Sequence, residues 1–111
     1  MEELSLGSPH YMAPELCSRS PYNNKVDVWA VGVICYELLC NRRPFKDSMK
    51  IKGQGKQGIF NDIIVNEPDY SGMQQFSHEA MEFVKSALTK NASARSSIAE
   101  LLESSWMRNF E

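Results

Sequence analysis

The sequence predicts a mainly α-helical fold, and three observations support this fold class. Apolar residues recur at helical spacing in segments 57–66 and 78–88, and a longer apolar segment covers 25–40. Residues that commonly cap helices precede two of these segments. No segment makes a convincing strand, and no internal repeat occurs. The length of 111 residues fits one small domain or part of a larger one.

The first part of the chain is predicted to be an ordered loop followed by a long helix. Residues 1–24 are rich in Ser, Pro and Asn, with a short helix expected near Pro14–Ser18. Asn23 or Asn24 is expected to cap a helix over about Lys25–Cys40. The apolar residues of that helix fall on every side of it, so it requires burial all round, which is demanding for a chain this short.

The second part is predicted to contain a shorter helix between two loops. Pro44 ends the long helix, because the residue before a proline disfavours helical geometry. A helix is expected over about Gln57–Asn66, where isoleucines and a phenylalanine follow helical spacing. The segment Glu67–Gln75 contains Pro and Gly and is interpreted as loop.

The last part is predicted to form two capped helices. Ser77 is expected to cap a helix from His78 to about Leu88. Ser97 and Glu100 have the spacing of a capping box, which predicts a final helix that continues to about Trp106.

Composition and charge disfavour several classes of function. The net charge of −2 gives no basic field for nucleic acid or an anionic membrane. The longest apolar run, Val26–Cys40, is interrupted by Asp27 and Glu37 and is shorter than the roughly 20 residues that span a bilayer. The first ten residues have neither the basic nor the apolar region of a secretory signal.

The cysteines and histidines do not have the spacing of a metal site or a thiol nucleophile. Cys17, Cys35 and Cys40 are an odd number without a CxxC pair, and His10 and His78 lie far from ligand spacing. Buried packing is the commoner use of such cysteines. Reduced thiols in a cytoplasmic or nuclear location are the simplest interpretation.

Four motifs occur in one order along the chain. Segment 7–15, Gly-Ser-Pro-His-Tyr-Met-Ala-Pro-Glu, resembles the end of a protein-kinase activation segment with its Ala-Pro-Glu motif. Segment 27–32, Asp-Val-Trp-Ala-Val-Gly, matches the Asp-x-Trp-x-x-Gly signature of that family, and 43–45, Arg-Pro-Phe, fits the following turn. Segment 87–106 resembles the closing part of the domain, in which Arg95 is the family arginine.

The resemblance implies the helical C-terminal subdomain, or C-lobe, of the protein-kinase-like fold, without the N-terminal β-rich lobe and the catalytic loop. Residues 1–24 would be the end of the activation segment, the substrate-docking (P+1) loop and the short Ala-Pro-Glu helix. Residues 25–111 would be the helical base. Tyr11 stands where tyrosine kinases usually carry Trp, which favours the serine/threonine branch.

The resemblance also implies structural roles. Glu15 and Arg95 would form a buried ion pair, although without the resemblance they read as two unrelated surface charges. Asp27 would accept hydrogen bonds from the catalytic-loop backbone, and it also fits a first-turn carboxylate on the helix dipole. Trp29 would pack under the activation segment, and plain core packing is the alternative. The full set of implied structural residues is Pro14, Glu15, Asp27, Trp29, Gly32 and Arg95.

A peptide-docking surface is implied before the Ala-Pro-Glu motif. Ser5 is a candidate phosphorylation site, one residue closer to the glycine than the usual site, with an ordinary loop serine as the alternative. The chain has Asn91 and Ala92 where the family usually has Asp-Pro, which puts a turn in doubt but not the fold. The implied docking residues are Gly7, Ser8, Pro9, Tyr11, Met12 and Ala13.

The parts that perform phosphoryl transfer in this family do not occur in the sequence. They are a Gly-rich loop, a strand lysine, a His-Arg-Asp loop and an Asp-Phe-Gly magnesium site. Segment 53–58 matches G-x-G-x-x-G literally, but it follows the long helix and no strand precedes it, so a flexible loop is favoured. No catalytic, cofactor-binding or metal-binding residue is therefore predicted, although the complete family domain uses ATP and Mg.

Three functions remain open. The chain could be part of a serine/threonine kinase domain that is inactive alone, a non-catalytic protein-binding module, or one half of a kinase completed by another chain. The expected partners are a protein or peptide substrate, and the missing kinase half or another protein that covers Lys25–Cys40. Neither nucleic acid nor membrane is expected as a partner.

Overall fold

The structure is a computed structural model that describes residues 9–45 and 55–108. The candidate docking residues Gly7 and Ser8, the candidate phosphorylation site Ser5 and the start of the glycine motif at 53–58 lie outside the described residues.

The described residues form α-helices and 3₁₀ turns, and neither described stretch contains a strand. The prediction of a mainly α fold is confirmed. The elements in chain order are a 3₁₀ turn Pro9–Tyr11, α1 Pro14–Cys17, α2 Lys25–Cys40, α3 Gly55–Val65, a second 3₁₀ turn Tyr70–Met73, α4 His78–Ala87, α5 Ile98–Leu102 and α6 Ser105–Arg108.

Helix α2 has the predicted bounds, and its ends explain them. Asn24 is the N-cap residue, but its side chain makes no capping bond. Asn23 acts instead, because its Oδ1 accepts a hydrogen bond from the N–H of Lys25 at 2.9 Å. Asn41 ends the helix in the left-handed conformation, with φ of 58°, a conformation that Asn tolerates better than most residues.

The predicted caps of the last two segments are present. Ser77 accepts a hydrogen bond from the N–H of Ala80 at 3.1 Å at the start of α4. Ser97 and Glu100 form the reciprocal capping box, with distances of 2.8 and 3.1 Å.

Two predictions about helix extent were wrong: the final helix is broken, and α3 begins at Gly55, inside the segment 53–58 that was predicted to be a flexible loop. The final helix does not run unbroken to Trp106, because α5 ends at Leu102 and α6 begins at Ser105. Ser104 lies between them, and its hydroxyl accepts from the N–H of Met107 at 3.3 Å, as a new N-cap does. The loop 67–75 contains a 3₁₀ turn, which Asp69 initiates by accepting from the N–H of Ser71 at 2.9 Å.

Helix α2 is the centre of the core, and α4 packs against it. The two helices approach closely at Gly32, since a Cβ atom there would lie 2.7 Å from the Cβ of Ala87 and 2.9 Å from Leu88. Helix α2 does not obtain the burial all round that its apolar residues favour, because Leu38 is 77% exposed. The buried side consists of Val28, Trp29, Ala30, Gly32, Val33 and Tyr36.

Candidate functional site

The structure brings the side chains of Glu15 and Arg95 together as the resemblance implies. The Nη1 atom of Arg95 lies 2.8 Å from Oε2 of Glu15, and Nη2 lies 2.9 Å from Oε1. The arginine side chain is fully buried and the glutamate side chain is 10% exposed. The guanidinium and carboxylate therefore meet in the parallel two-point geometry that gives the strongest pairs of this type.

Every remaining N–H of the Arg95 guanidinium also has an acceptor. Nε donates to the carbonyl of Thr89 at 2.7 Å, Nη1 to that of Lys25 at 3.0 Å, and Nη2 to that of Lys90 at 3.1 Å. A guanidinium has five donors, and all five are used here. These hydrogen bonds and the ion pair offset the desolvation penalty of a charged group in the core.

The Glu15 carboxyl has a pKa below its ordinary value. Burial acts to raise this pKa, but hydrogen bonds from Arg95 and from the backbone, together with the arginine charge, lower it further than burial raises it. The group is therefore held ionised, which matches its part in the pair.

The ion pair fixes the segment that precedes it. We call Pro9–Ala13, the described part of the implied docking surface, the docking segment. The carbonyl of Ala13 accepts from Leu16 at 2.9 Å and from Cys17 at 3.1 Å, so the docking segment continues directly into α1. Pro14 occupies the first position of α1, where its missing N–H costs little. Since Glu15 lies in this short helix, the pair with Arg95 ties the docking segment to the helical base.

A second contact ties the docking segment to α2. The hydroxyl of Tyr11 donates to Oε1 of Glu37 at 2.9 Å, and the Tyr11 ring is buried. Burial, the hydrogen bond to Glu37 and its charge raise the pKa of Tyr11, against an opposing effect of Arg43. The other carboxylate oxygen of Glu37 is buried without a hydrogen-bond partner among the described residues.

A third contact in this region joins His10 to the turn after α2. The Nε2 atom of His10 lies 2.8 Å from Nη1 of Arg43. An arginine can only donate, so Nε2 of this histidine accepts.

Sequence reasoning missed the role of Glu37. In the sequence, Glu37 stands out only as a charge that interrupts an apolar run. Its partner lies 26 residues earlier, so no local pattern joins the two residues. The one available signal was a carboxylate in the midst of a helix whose other residues are mostly apolar.

Trp29 lies beneath the ion pair, fully buried. Its ring stacks on Phe45 with centroids 5.8 Å apart and an angle of 12° between the planes. The Arg95 guanidinium carbon lies 5.1 Å from the Trp29 centroid, and the Lys90 ammonium lies 5.6 Å from it. Trp29 belongs to the same core cluster as Tyr11 and Ala13. The structure therefore shows core packing for Trp29, and its implied place under the docking segment stays a prediction.

Asp27 is exposed in the first turn of α2. Its N–H donates to the carbonyl of Asn24 at 3.1 Å. Its carboxylate has no hydrogen-bond or ion-pair partner among residues 9–45 and 55–108, so its implied role toward a catalytic loop stays a prediction.

The cysteines and acidic residues offer no alternative chemistry in the described part of the chain. Cys17, Cys35 and Cys40 are all free. Burial raises the pKa of Cys17 to about 11, and burial also raises the pKa values of Cys35 and Cys40. Such thiols are poor nucleophiles at neutral pH.

No group of three His, Cys, Asp or Glu residues in the two described stretches has the arrangement of a metal site. In those stretches, too, no helix has both the length and the apolar character to cross a bilayer.

Known proteins resemble this chain over nearly its whole length. The family model described as protein kinase domain matches residues 3–107. Calcium-dependent protein kinase 24 of Arabidopsis thaliana is 40% identical over 108 residues, which are 96% of this chain and 17% of the relative. Serine/threonine-protein kinase DCLK1 of Rattus norvegicus is 34% identical over 105 residues, 93% of this chain and 23% of the relative.

A further relative extends the same pattern. Serine/threonine-protein kinase H1 of Homo sapiens is 35% identical over 103 residues, 91% of this chain and 23% of the relative. The chain thus spans between 17% and 23% of the length of these three relatives. Because the family model covers most of the chain, and because two of these relatives are named serine/threonine-protein kinases, the chain belongs to the protein kinase family, on its serine/threonine branch.

Proposed function

We propose that the chain is the C-lobe part of a serine/threonine protein kinase domain, and that its docking segment holds a peptide substrate. The observation that carries this proposal is the two-point pair between Glu15 and Arg95, at 2.8 and 2.9 Å. The pair fixes α1, and α1 continues the docking segment Pro9–Ala13. A peptide site gains affinity when its surface is ordered before binding, because less entropy is lost on association.

The role of the chain in the reaction is positional. Phosphoryl transfer requires the acceptor hydroxyl to be held in line with the γ-phosphate, and ATP with Mg supplies the transferred group. The docking segment would set the position of the peptide, and the ion pair and the Tyr11–Glu37 contact would keep it in place. The phosphate-binding and catalytic motifs do not occur in these 111 residues, so we propose that the isolated chain is inactive.

Two measurements on the purified chain test inactivity. Its melting temperature with and without Mg-ATP is expected to be the same, because ligand that binds the native state would raise it. Transfer of labelled phosphate to a mixture of serine- and threonine-containing peptides is expected to be absent. A complete kinase domain in the same assay is the positive control. A saturable rise in melting temperature with ATP, or labelled peptide, would contradict this part of the proposal.

Peptide docking is tested by binding, without any chemistry. Fluorescent peptide libraries centred on Ser or Thr are expected to show sequence-selective binding to the chain. Met12→Glu, which places a charge on a half-buried side chain of the docking segment, is expected to abolish it. Ser93→Glu, in an exposed loop, is the matched control and should retain binding. Absence of selective binding by the unmodified chain would reject the docking proposal.

A specific observation favours a second candidate function, completion of the kinase by another chain. An apolar groove of about 410 Å³ lies between α2, α4, α5 and α6. Ile98 and Leu102 on its edge are 46% and 57% exposed. Apolar surface of this kind commonly marks an interaction site. The residues of this apolar groove are Val31, Cys35, Phe83, Ile98, Leu101, Leu102, Trp106 and Met107.

The second candidate is tested by mixing two chains. A chain that carries the four missing kinase parts, taken from a relative, is expected to form a complex and to restore phosphate transfer. Leu102→Gln should weaken the complex, since it places a polar amide in the groove. Val65→Gln changes an exposed apolar residue outside the groove and is the matched control. If no complex forms by native mass spectrometry, the completion proposal fails while the docking proposal stands.

A further inference from the structure

We propose that Lys90 is a positioning residue that holds α3 in place and, through α3, sets the position of the docking segment. The Lys90 ammonium donates a hydrogen bond to the carbonyl of Ile63, near the end of α3. It also lies 4.7 Å from the centroid of the Phe45 ring and 5.6 Å from that of Trp29. One side chain therefore contacts α3, α2 and the turn that follows α2.

The hydrogen bond to Ile63 completes the end of a helix. The last four carbonyls of an α-helix have no partner within the helix. In α3, the carbonyl of Asp62 is satisfied by the N–H of Asn66 at 2.9 Å, and the next carbonyl, that of Ile63, accepts from Lys90. A cation at this end also interacts favourably with the helix dipole. Lys90 thus acts as a C-terminal cap that comes from another part of the chain.

The position of α3 matters to the docking segment because they are in direct contact. Helix α3 packs against α1 and against the 3₁₀ turn Pro9–Tyr11. On the opposite side of Lys90, its own carbonyl accepts from Nη2 of Arg95 at 3.1 Å. Lys90 therefore joins the buried ion pair, through its backbone, to α3, through its side chain. Two supports of the docking segment, the ion pair and α3, therefore meet at this residue.

The charge of Lys90 has several sources of compensation. The main-chain oxygen of Ile63 accepts a hydrogen bond from the ammonium, and two aromatic faces lie within reach of a cation–π interaction. Burial lowers the pKa of Lys90, while the carboxylate of Glu67 raises it. An uncharged side chain of similar length would fill the space but would leave the Ile63 carbonyl without the donor that Lys90 supplies.

Amide hydrogen exchange of four chains tests the inference: the unmodified chain, Lys90→Met, Lys90→Arg and Lys85→Met. In Lys90→Met, the amides of Met12, Leu16, Cys17 and Asn66 should exchange at least about tenfold faster, relative to those inside α2 and α4. Lys90→Arg keeps the cation and a donor, and should restore most of the protection. Lys85 is the matched control, because its ammonium lies over one ring, that of Tyr70, at 5.2 Å. Lys85→Met should leave the four amides unchanged.

The distribution of the effect decides between positioning and general stabilisation. Equal acceleration in α2 and α4, including complete unfolding of Lys90→Met, would overturn the inference, and so would no change at all. The same local pattern in Lys85→Met would also overturn it. The inference rests on the proposed function only in calling Pro9–Ala13 a docking segment. Exchange is measured without peptide, so failure of peptide binding and failure of this inference are separate results.

Discussion

Arg95 and Glu15, which are 80 residues apart in the sequence, form a two-point ion pair in which the arginine side chain is fully buried. Three backbone carbonyls, those of Lys25, Thr89 and Lys90, take the other donors. The arrangement is stable only as a unit, because removal of one member leaves another polar group buried without a partner.

Arg95→Met should lower the free energy of unfolding by about 3–5 kcal/mol, since it leaves the Glu15 carboxylate without its charge partner and removes one hydrogen bond from each of three carbonyls. Arg95→Lys should recover little, because an ammonium cannot reproduce the planar five-donor geometry. Urea titration monitored by circular dichroism measures both. Arg108 pairs with Glu103 at the surface, and Arg108→Met should cost no more than about 1 kcal/mol. A similar small cost for Arg95→Met would contradict the importance of the buried pair.

Acid should remove the contribution of the same pair. The pKa of Glu15 in the folded chain is below its ordinary value of 4.5. A depressed folded pKa gives stability that is present above the unfolded pKa and is lost as the pH falls through the folded pKa. The stability difference between the unmodified chain and Glu15→Gln should therefore be constant near neutral pH. Below about pH 4.5 it should shrink, by at most about 1.4 kcal/mol per pH unit. A difference that stays constant down to the acid unfolding transition would contradict this linkage.

A side chain at position 32, in place of Gly32, should destabilise the fold while Ala87 faces it. Gly32→Ala places a Cβ 2.7 Å from that of Ala87, inside van der Waals contact, and should cost about 1–3 kcal/mol. The gain in helix propensity from Gly to Ala, about 1 kcal/mol, offsets part of this cost. Combining it with Ala87→Gly should recover stability beyond the sum of the single changes. A double-mutant cycle measures that coupling, and a coupling near zero would show that the helices do not meet at these atoms.

Local signals were sufficient to predict most helix ends. Ser77, Ser97 and Glu100 use short-range hydrogen bonds that the spacing of the residues already specifies. The break between α5 and α6 was missed because Ser104 looks like any polar residue on a helix surface until its hydroxyl is seen to cap Met107.

The contacts that build the candidate site could not be predicted in the same way. The pairing of Glu15 with Arg95 came from the family resemblance, since nothing in the spacing of two charges 80 residues apart indicates contact. The Tyr11–Glu37 and Lys90–Ile63 bonds join residues 26 and 27 positions apart. They depend on how helices pack, and helix periodicity specifies which face is buried but not which polar group meets it.

The apolar groove between α2, α4, α5 and α6 should bind a hydrophobic dye such as ANS in the isolated chain. Leu102→Gln and Ile98→Gln should lower dye fluorescence, and each should change the free energy of unfolding by no more than about 0.5 kcal/mol, because both side chains are exposed. Val65→Gln, exposed but outside the groove, should leave the fluorescence unchanged. If the unmodified chain binds no dye and remains a monomer by sedimentation, the groove is not an accessible apolar surface in solution.

Cys17 should resist alkylation in the folded chain. Burial raises its pKa to about 11, and the charge of Glu15 acts in the same direction, from an ordinary value of 9.0. Two pKa units make the thiolate about a hundredfold rarer at pH 8, and the greater nucleophilicity of a more basic thiolate recovers about tenfold of this. The thiol of the folded chain should therefore react with iodoacetamide at least about tenfold more slowly than the thiol of the chain unfolded in about 8 M urea. Peptide mapping by mass spectrometry follows Cys17 and the half-buried Cys40 in one time course. Equal rates for Cys17 with and without urea would mean that α1 opens readily, which the ion pair of Glu15 with Arg95 should prevent.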